Sequence, residues 1–555
     1  MKETIQIFCK NNGKVIEVKR GTTLLEIFEN SEIVLNSRVM GALVNNRTQN
    51  LNFKVYKPKD IDFFDISSPH GERVYMHSLC MILYKAVHDI LPNCQLHIEH
   101  SISKGLFCML SEKCGENTLA MIKERMKEIV AADMPIERFE EKTTIVIEKF
   151  REAGMEDKVK LLSNMHSPYT IYNKLDNVID SFPYELVPST GYIPVFDFVR
   201  YSYGYLLVPP AKENPTQLSV IERQDKLLAA FEEQNRFNHI ARLSNIGELN
   251  EATKNGHAPT LIKVMEALHE KQIAKIADDI SERFKLNGSG RVVLIAGPSS
   301  SGKTTFSKRL SIQLLTNLLI PVSISLDDYF VDRDKTPRDE NGDYDYESIY
   351  ALDLEAFNRD LNNLINGEEV EIPSYNFETG KRCYKGNKLK LSPQSVLILE
   401  GIHALNPQLT SQIEDRLKYK IYVSALTSIS IDNHNRIPTT DNRLLRRIIR
   451  DAKYRGTSAQ STIARWPSVR RGEEKWIFPY QENADAMFNT SLLYELSVIC
   501  REAIPVLSEV GKDQIEYNEA KRLLNFLTMF IPVHKKDIPP TSLAREFLGG
   551  SSFIY

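Results

Sequence analysis

The chain has 555 residues, of which 42% are apolar and 26% charged, with a formal net charge of −3. That composition predicts a soluble, globular protein of several domains, and the charge balance gives no global pull toward nucleic acid. The opening MKETIQIFCKNNG lacks the apolar stretch of a signal peptide, no apolar run is long enough to span a bilayer, and the seven cysteines are scattered without a CxxC pair. These features argue against secretion, a disulfide framework or a zinc knuckle, and they predict a cytoplasmic location.

Residues 4–9 and 14–19 are short alternating β-prone runs around Asn11-Asn12-Gly13, which predicts a hairpin. A helix follows from Thr23, with Glu26 three residues on as a capping box and Leu24, Leu25, Ile27 and Phe28 facing inward. With the strands after it, this makes a small β-grasp-like module over 1–62. From 63 to 212 the pattern mixes helices near 75–91 and 117–131 with β-prone runs at 94–98, 105–110 and 144–149. Residues 213–290 form a helical connector whose apolar stripe has helical spacing and which breaks at Asn287–Gly290. Alternating strand and helix from 291 to 512 argues for a parallel sheet with helices on both faces. A helical and then Pro-rich tail runs over 513–555.

The clearest motif opens the fourth segment. Val292–Ala296 is a continuous apolar strand, and Gly297, Pro298, Ser299, Ser300, Ser301, Gly302, Lys303 and Thr304 complete GxxxxGK[ST] before a helix. Glycines let backbone N–H groups turn toward phosphate oxygens, and the helix N-terminus adds partial positive charge. Lys303 is placed to reach the β- and γ-phosphates of ATP, and the Thr304 hydroxyl to ligate Mg²⁺.

Two further strands each end in acid: Asp327 and Asp328 after 322–326, and Glu400 after 395–399. Ligands of open α/β sheets sit beyond the carboxyl ends of the strands, so Asp327 and Glu400 fall beside the phosphate loop. One can take the proton of an acceptor hydroxyl while the other holds Mg²⁺; Asp328 reads as a solvated loop residue. Arg443, Arg446, Arg447 and Arg450 share one helix face opposite Leu444, Leu445, Ile448 and Ile449, with Arg455 next. Arginines without lysines suit phosphate recognition, which makes this segment a candidate lid.

With GPSSSGKTT, ISLDDYF, IPSYNF, LILEGIHAL, DNRLLRRIIRDAKYRG and FPYQENADAMF in this order, residues 291–500 resemble the uridine kinase and phosphoribulokinase family of P-loop kinases. The resemblance implies an ATP- and Mg²⁺-dependent small-molecule kinase that phosphorylates the 5′-hydroxyl of uridine or cytidine. It implies Asp327 as catalytic carboxylate, Thr304 and Glu400 on the metal side, Tyr375 near the acceptor base and Glu347 near an acceptor hydroxyl. Gly297, Ser299–Thr304 and Thr305 would hold the nucleotide with Arg446 and Arg450. Lys303, Arg443 and Arg447 would serve catalysis, and Arg443 and Asp327 would also touch the acceptor. Gly380 stands where the pyrimidine-reading histidine of uridine-cytidine kinases falls, and Glu347 where those enzymes carry aspartate. That keeps another nucleoside, a sugar or a polyol open as acceptor, as well as a nucleotide-sensing, RNA- or translation-linked regulator.

Residues 1–62 resemble a TGS domain, and 63–212 resemble the editing-type domain of threonyl-tRNA synthetase, at Val74–Met81 and Leu186–Gly191. That family's four ligand positions hold His77, Met81, Phe182 and Leu186 here, so no metal site is expected and the domain is read as a scaffold or a module for an RNA or protein partner.

Overall fold

The computed structural model describes residues 3–340 and 342–554. It is mixed α/β throughout, and each sheet follows from local pattern. Strands Thr4–Cys9 and Lys14–Lys19 pair antiparallel with Cys9 opposite Lys14, as the turn signal requires. Thr4–Cys9 then runs parallel to Lys59–Asp65, which carries Val39–Val44 on its other edge. Helix Leu24–Glu29 crosses this sheet behind a reciprocal cap: Glu26 N donates to Thr23 Oγ1 and Thr23 N donates to Glu26 Oε2. Leu24 and Ile27 are fully buried beneath it, while Leu25 and Phe28 only pack against the core's rim. The last strand, Lys59–Asp65, runs past residue 62.

Helices Pro69–Ile90 and Glu116–Ala131 cover a four-stranded antiparallel sheet that includes Leu96–Ile102 and Gly105–Leu110. The β-prone run 144–149 is not a strand. It lies in helix Thr143–Glu152, because Val146 and Phe150, four residues apart, both reach a buried cluster with Val159 and Leu162. One-sided burial at helical spacing outweighs the strand preference of Thr-Thr-Ile-Val-Ile.

Helices Asp225–Ala241, Ile246–Lys254 and Ala258–Asn287 follow, and the last ends on Gly288 in the left-handed conformation (φ +69°). Beyond it lies a five-stranded parallel sheet. The strand Val292–Ala296 is central, between Ser395–Glu400 and Lys418–Ser424, with Ile320–Ser325 and Ala486–Asn489 on the edges. Every residue of Val292–Ala296 is buried, as a strand covered on both faces must be. A hairpin of Val370–Asn376 and Lys381–Leu389 interrupts the strand–helix alternation.

Ion pairs join the two halves of the chain. Lys158 lies 2.7 Å from Asp180 and 2.8 Å from Asp432, and His434 Nδ1 lies 2.6 Å from Asp180, all of them buried. Arg73 reaches Glu519 at 2.7 Å, beside Arg522 and Asp441 at 2.6 Å. Among the described residues, no helix is long and apolar enough to cross a membrane.

Candidate functional site

The parallel register brings the carboxyl ends of Val292–Ala296, Ile320–Ser325 and Ser395–Glu400 to one edge of the sheet. The phosphate loop, Asp327 and Glu400 therefore meet there. Gly302 takes φ +87° and helix Lys303–Thr316 begins immediately after it. Lys303 is only 9% exposed, and its Nζ donates to Pro298 O at 3.3 Å. Thr304 Oγ1 donates to Glu400 Oε2 at 3.4 Å.

Three carboxylates feel the Lys303 charge. Burial pushes Glu400 up to about 7, with Asp327 and Glu546 adding to the rise and Lys303 opposing it. Burial likewise pushes Glu347 up to about 7, helped by Glu473 and opposed by Arg447 and Lys303. Asp327 is open to solvent on one side yet surrounded by the bulk of the protein. That crowding raises its carboxyl above the ordinary range, against the pull of Lys303, Arg455 and Arg450. Carboxyls raised by burial beside a fixed cation suit proton acceptance and cation binding near neutrality. Thr304 and Glu400 fit a divalent cation: they are hard oxygen ligands in contact, and the Glu400 carboxylate is short of compensating charge.

At the hairpin beside Asp328, Tyr375 is 8% exposed, with ring centroids 5.5 Å from Phe330 and 5.0 Å from Phe377. Its hydroxyl is buried without a hydrogen-bond partner among the described residues. Asp328 is half-buried rather than solvated, and its Oδ1 accepts from Tyr375 N at 3.4 Å, which fixes the hairpin to the strand end. Gly380 takes φ +68°, and a Cβ there would come within 2.7 Å of Arg333 Cβ. Arg333 thus fills the space a side chain at 380 would need, and it donates to Phe377 O. Lys381 and Arg382 pair with Asp332 and Asp353 at 3.4 and 2.8 Å. Glu347 meets helix Ala459–Trp476 at Gly472, where a Cβ would lie 2.2 Å from its own Cβ.

The arginine helix, Thr439–Tyr454, is packed into the core rather than standing free over the site. Its members divide. Arg443 is bonded by Nη2 to both oxygens of Glu473, and Arg446 to Glu495, Thr490 and Ser300 O, all buried. These two guanidinium groups are occupied by protein partners. Arg447 Nη1 donates to Ser299 Oγ at 3.0 Å, and Arg450 donates to Asp451 at 2.9 Å. Asp451 also lies 3.3 Å from Arg447 and 3.6 Å from Arg455, so one carboxylate gathers three arginines.

Sequence reasoning missed Asp451, Glu473 and Glu546. Ser299 N donates to Glu473 Oε1 at 3.3 Å, and Thr305 N and Oγ1 donate to Glu546 Oε2 at 3.2 and 2.6 Å. These contacts span 174 and 241 residues, and no local motif marks them.

In the N-terminal half, the four positions read as vestiges of a metal site lie in an apolar cluster. His77 sits 5.7 Å from the Phe182 ring and 6.3 Å from Tyr184, over buried Met81 and Leu186, and burial pushes it down to about 3.

Residues 292–493 match the phosphoribulokinase / uridine kinase family. The uridine kinase of Macrococcus caseolyticus (strain JCSC5402) is 31% identical over 195 residues, which is 35% of this chain and 85% of that protein. That of Staphylococcus aureus (strain JH9) is 31% identical over the same share of this chain and 84% of its own length. Among solved structures, a possible uridine kinase from Bacillus stearothermophilus is 19% identical, with a TM-score of 0.26 over 39% of this chain and 98% of that one. With the two uridine kinases matched over most of their own length and the phosphate loop, Lys303 and the strand-end carboxylates assembled, the chain is an ATP-dependent phosphotransferase acting on a hydroxyl group, and it belongs to the phosphoribulokinase / uridine kinase family.

Proposed function

We propose that the chain phosphorylates a nucleoside, with the 5′-hydroxyl of uridine or cytidine as the acceptor of the γ-phosphoryl group. The observation that supports this reading is the meeting of Asp327 and Glu400 with the phosphate loop at one edge of the parallel sheet, where Thr304 Oγ1 lies 3.4 Å from Glu400 Oε2 and Glu347 also feels the Lys303 charge. Asp327 takes the acceptor hydroxyl proton, Glu347 holds a second acceptor hydroxyl, and Tyr375 packs against the base. Lys303 draws on the β- and γ-phosphates, and Arg447, held at Ser299, lies on the same side. Thr304 and Glu400 would hold Mg²⁺, which neutralises phosphate charge when bound.

A second acceptor class is favoured by one observation. Arg333 occupies the space beside Gly380, so the ring edge is not read by a histidine there. A pocket that leaves an edge unread discriminates weakly between ligands differing at that edge. We therefore expect uridine and cytidine to be used with similar, modest efficiency, and a sugar or polyol to be the competing acceptor.

The test is acceptor-dependent ADP release with ATP and Mg²⁺, comparing kcat/KM for uridine, cytidine, ribose-type sugars and polyols. Strong preference for a non-nucleoside overturns the nucleoside reading and leaves the kinase standing. We assign residues 291–512 to the kinase domain, with 213–290 as its connector and 513–555 as its tail. Residues 1–62 and 63–212 are TGS-like and editing-like modules acting as a scaffold or a module for an RNA or protein partner. Deacylation of a mischarged tRNA by the full chain would refute the scaffold reading.

A further inference from the structure

The family match ends at residue 493, yet the chain returns to the phosphate loop some fifty residues later. A short turn, Arg545–Leu548, brings Glu546 onto the first turn of helix Lys303–Thr316. Its Oε2 accepts from both Thr305 N and Thr305 Oγ1. An N–H in this position, one residue past the cation-binding hydroxyl, belongs to the set that a phosphate-binding helix start turns toward a nucleotide's phosphates. A carboxylate is the side-chain group nearest to phosphate in charge and in acceptor geometry.

The neighbours of Glu546 fill the rest of this side. Leu543 is fully buried against the loop, and a Cβ on Gly302 would come within 2.9 Å of Leu543 Cδ2. The Phe547 ring, also fully buried, lies 5.0 Å from the Arg446 guanidinium. The turn is tied at both ends. Ser542 Oγ donates to Glu266 at 2.6 Å, and Lys453 Nζ donates to Leu548 O at 2.8 Å. Gly549 and Gly550, both at positive φ, lead the chain away.

We propose that the C-terminal turn Leu543–Leu548 is a built-in competitor for the nucleotide, with the Glu546 carboxylate standing on the Thr305 donors that a nucleoside triphosphate's phosphates require. Nucleotide entry then needs the turn to lift. Affinity is reduced by the fraction of molecules in which the turn is seated, and any event that holds it away turns the kinase on. Neutralising the carboxylate weakens the seat without emptying the apolar packing of Leu543 and Phe547.

This inference rests on the nucleotide site proposed above, and the experiment separates the two. Calorimetric titration with ADP in Mg²⁺ buffer compares the full chain, Glu546→Gln and Lys303→Ala. Loss of one charge-assisted contact on the closed state predicts ADP binding on the order of tenfold tighter in Glu546→Gln. Unchanged or weaker binding in that variant overturns the competitor, provided ADP binds the wild type and fails on Lys303→Ala. ADP binding to neither wild type nor Glu546→Gln overturns the nucleotide site and this proposal together. Hydrogen exchange on the unaltered chain gives the second reading. Amides of 543–549 should exchange faster when ADP is added, and slower exchange overturns the proposal by making the turn a wall of the occupied site.

Discussion

Arg447 Nη1 lies 3.0 Å from Ser299 Oγ, while Arg443, one helical turn earlier, donates through Nη2 to both oxygens of buried Glu473. One helix face thus carries both an arginine at the phosphate loop and an arginine within the core.

That division predicts opposite outcomes for two similar changes. Arg443→Ala leaves Glu473 charged and buried without its partner, which costs about 3–5 kcal/mol of stability. A chemical-denaturation curve should show that loss. Arg447→Ala should keep nearly the wild-type midpoint and lower kcat instead. Equal loss of stability in both variants would contradict the division.

Lys303→Ala should reduce turnover by about 10²–10³-fold, the usual effect of removing one positioned donor from developing charge. Circular dichroism and the thermal midpoint should stay close to wild type, because Lys303 serves the loop and contributes little to the apolar core. A folded variant with near-normal turnover would sink the assignment.

Asp327→Asn keeps the shape of the side chain and removes its capacity to take a proton. Turnover should fall by about 10²–10⁴-fold, with nucleotide affinity little changed. Persistence of the wild-type rate would move the proton acceptor to Glu347, whose carboxyl is pushed up to about 7 beside the same lysine.

Glu347 and Glu400 both stand at about 7 in the folded chain, against ordinary values of 4.5. The folded state therefore retains protons that the unfolded state has released. Stability from these groups is full below pH 4.5 and is lost as pH rises through 7, by an amount on the order of a few kcal/mol in total. Thermal melts of the nucleotide-free chain from pH 5 to 8 should show a decline that Glu400→Gln flattens. A Glu400→Gln melt profile as steep as wild type would remove Glu400 from the account.

The sequence by itself determined whatever depends on near neighbours. The Thr23–Glu26 cap, the Asn-Gly hairpin and the strand–GPSSSGKT–helix unit are set by residues a few positions apart. Asp327 and Glu400 could be placed as well, because a parallel sheet brings all its strand ends to one edge. Tertiary structure decided what depends on desolvation and on distant returns of the chain. Val146 and Phe150 turned a strand-like run into a helix by finding a core on one side. Arg443 and Arg446 became core ion pairs because Glu473 and Glu495, 30 and 49 residues away, were buried against them. Glu546 reached Thr305 across 241 residues. Charge and spacing are written in the local sequence, whereas which charges lose their water depends on what folds over them, and that is a property of the whole chain.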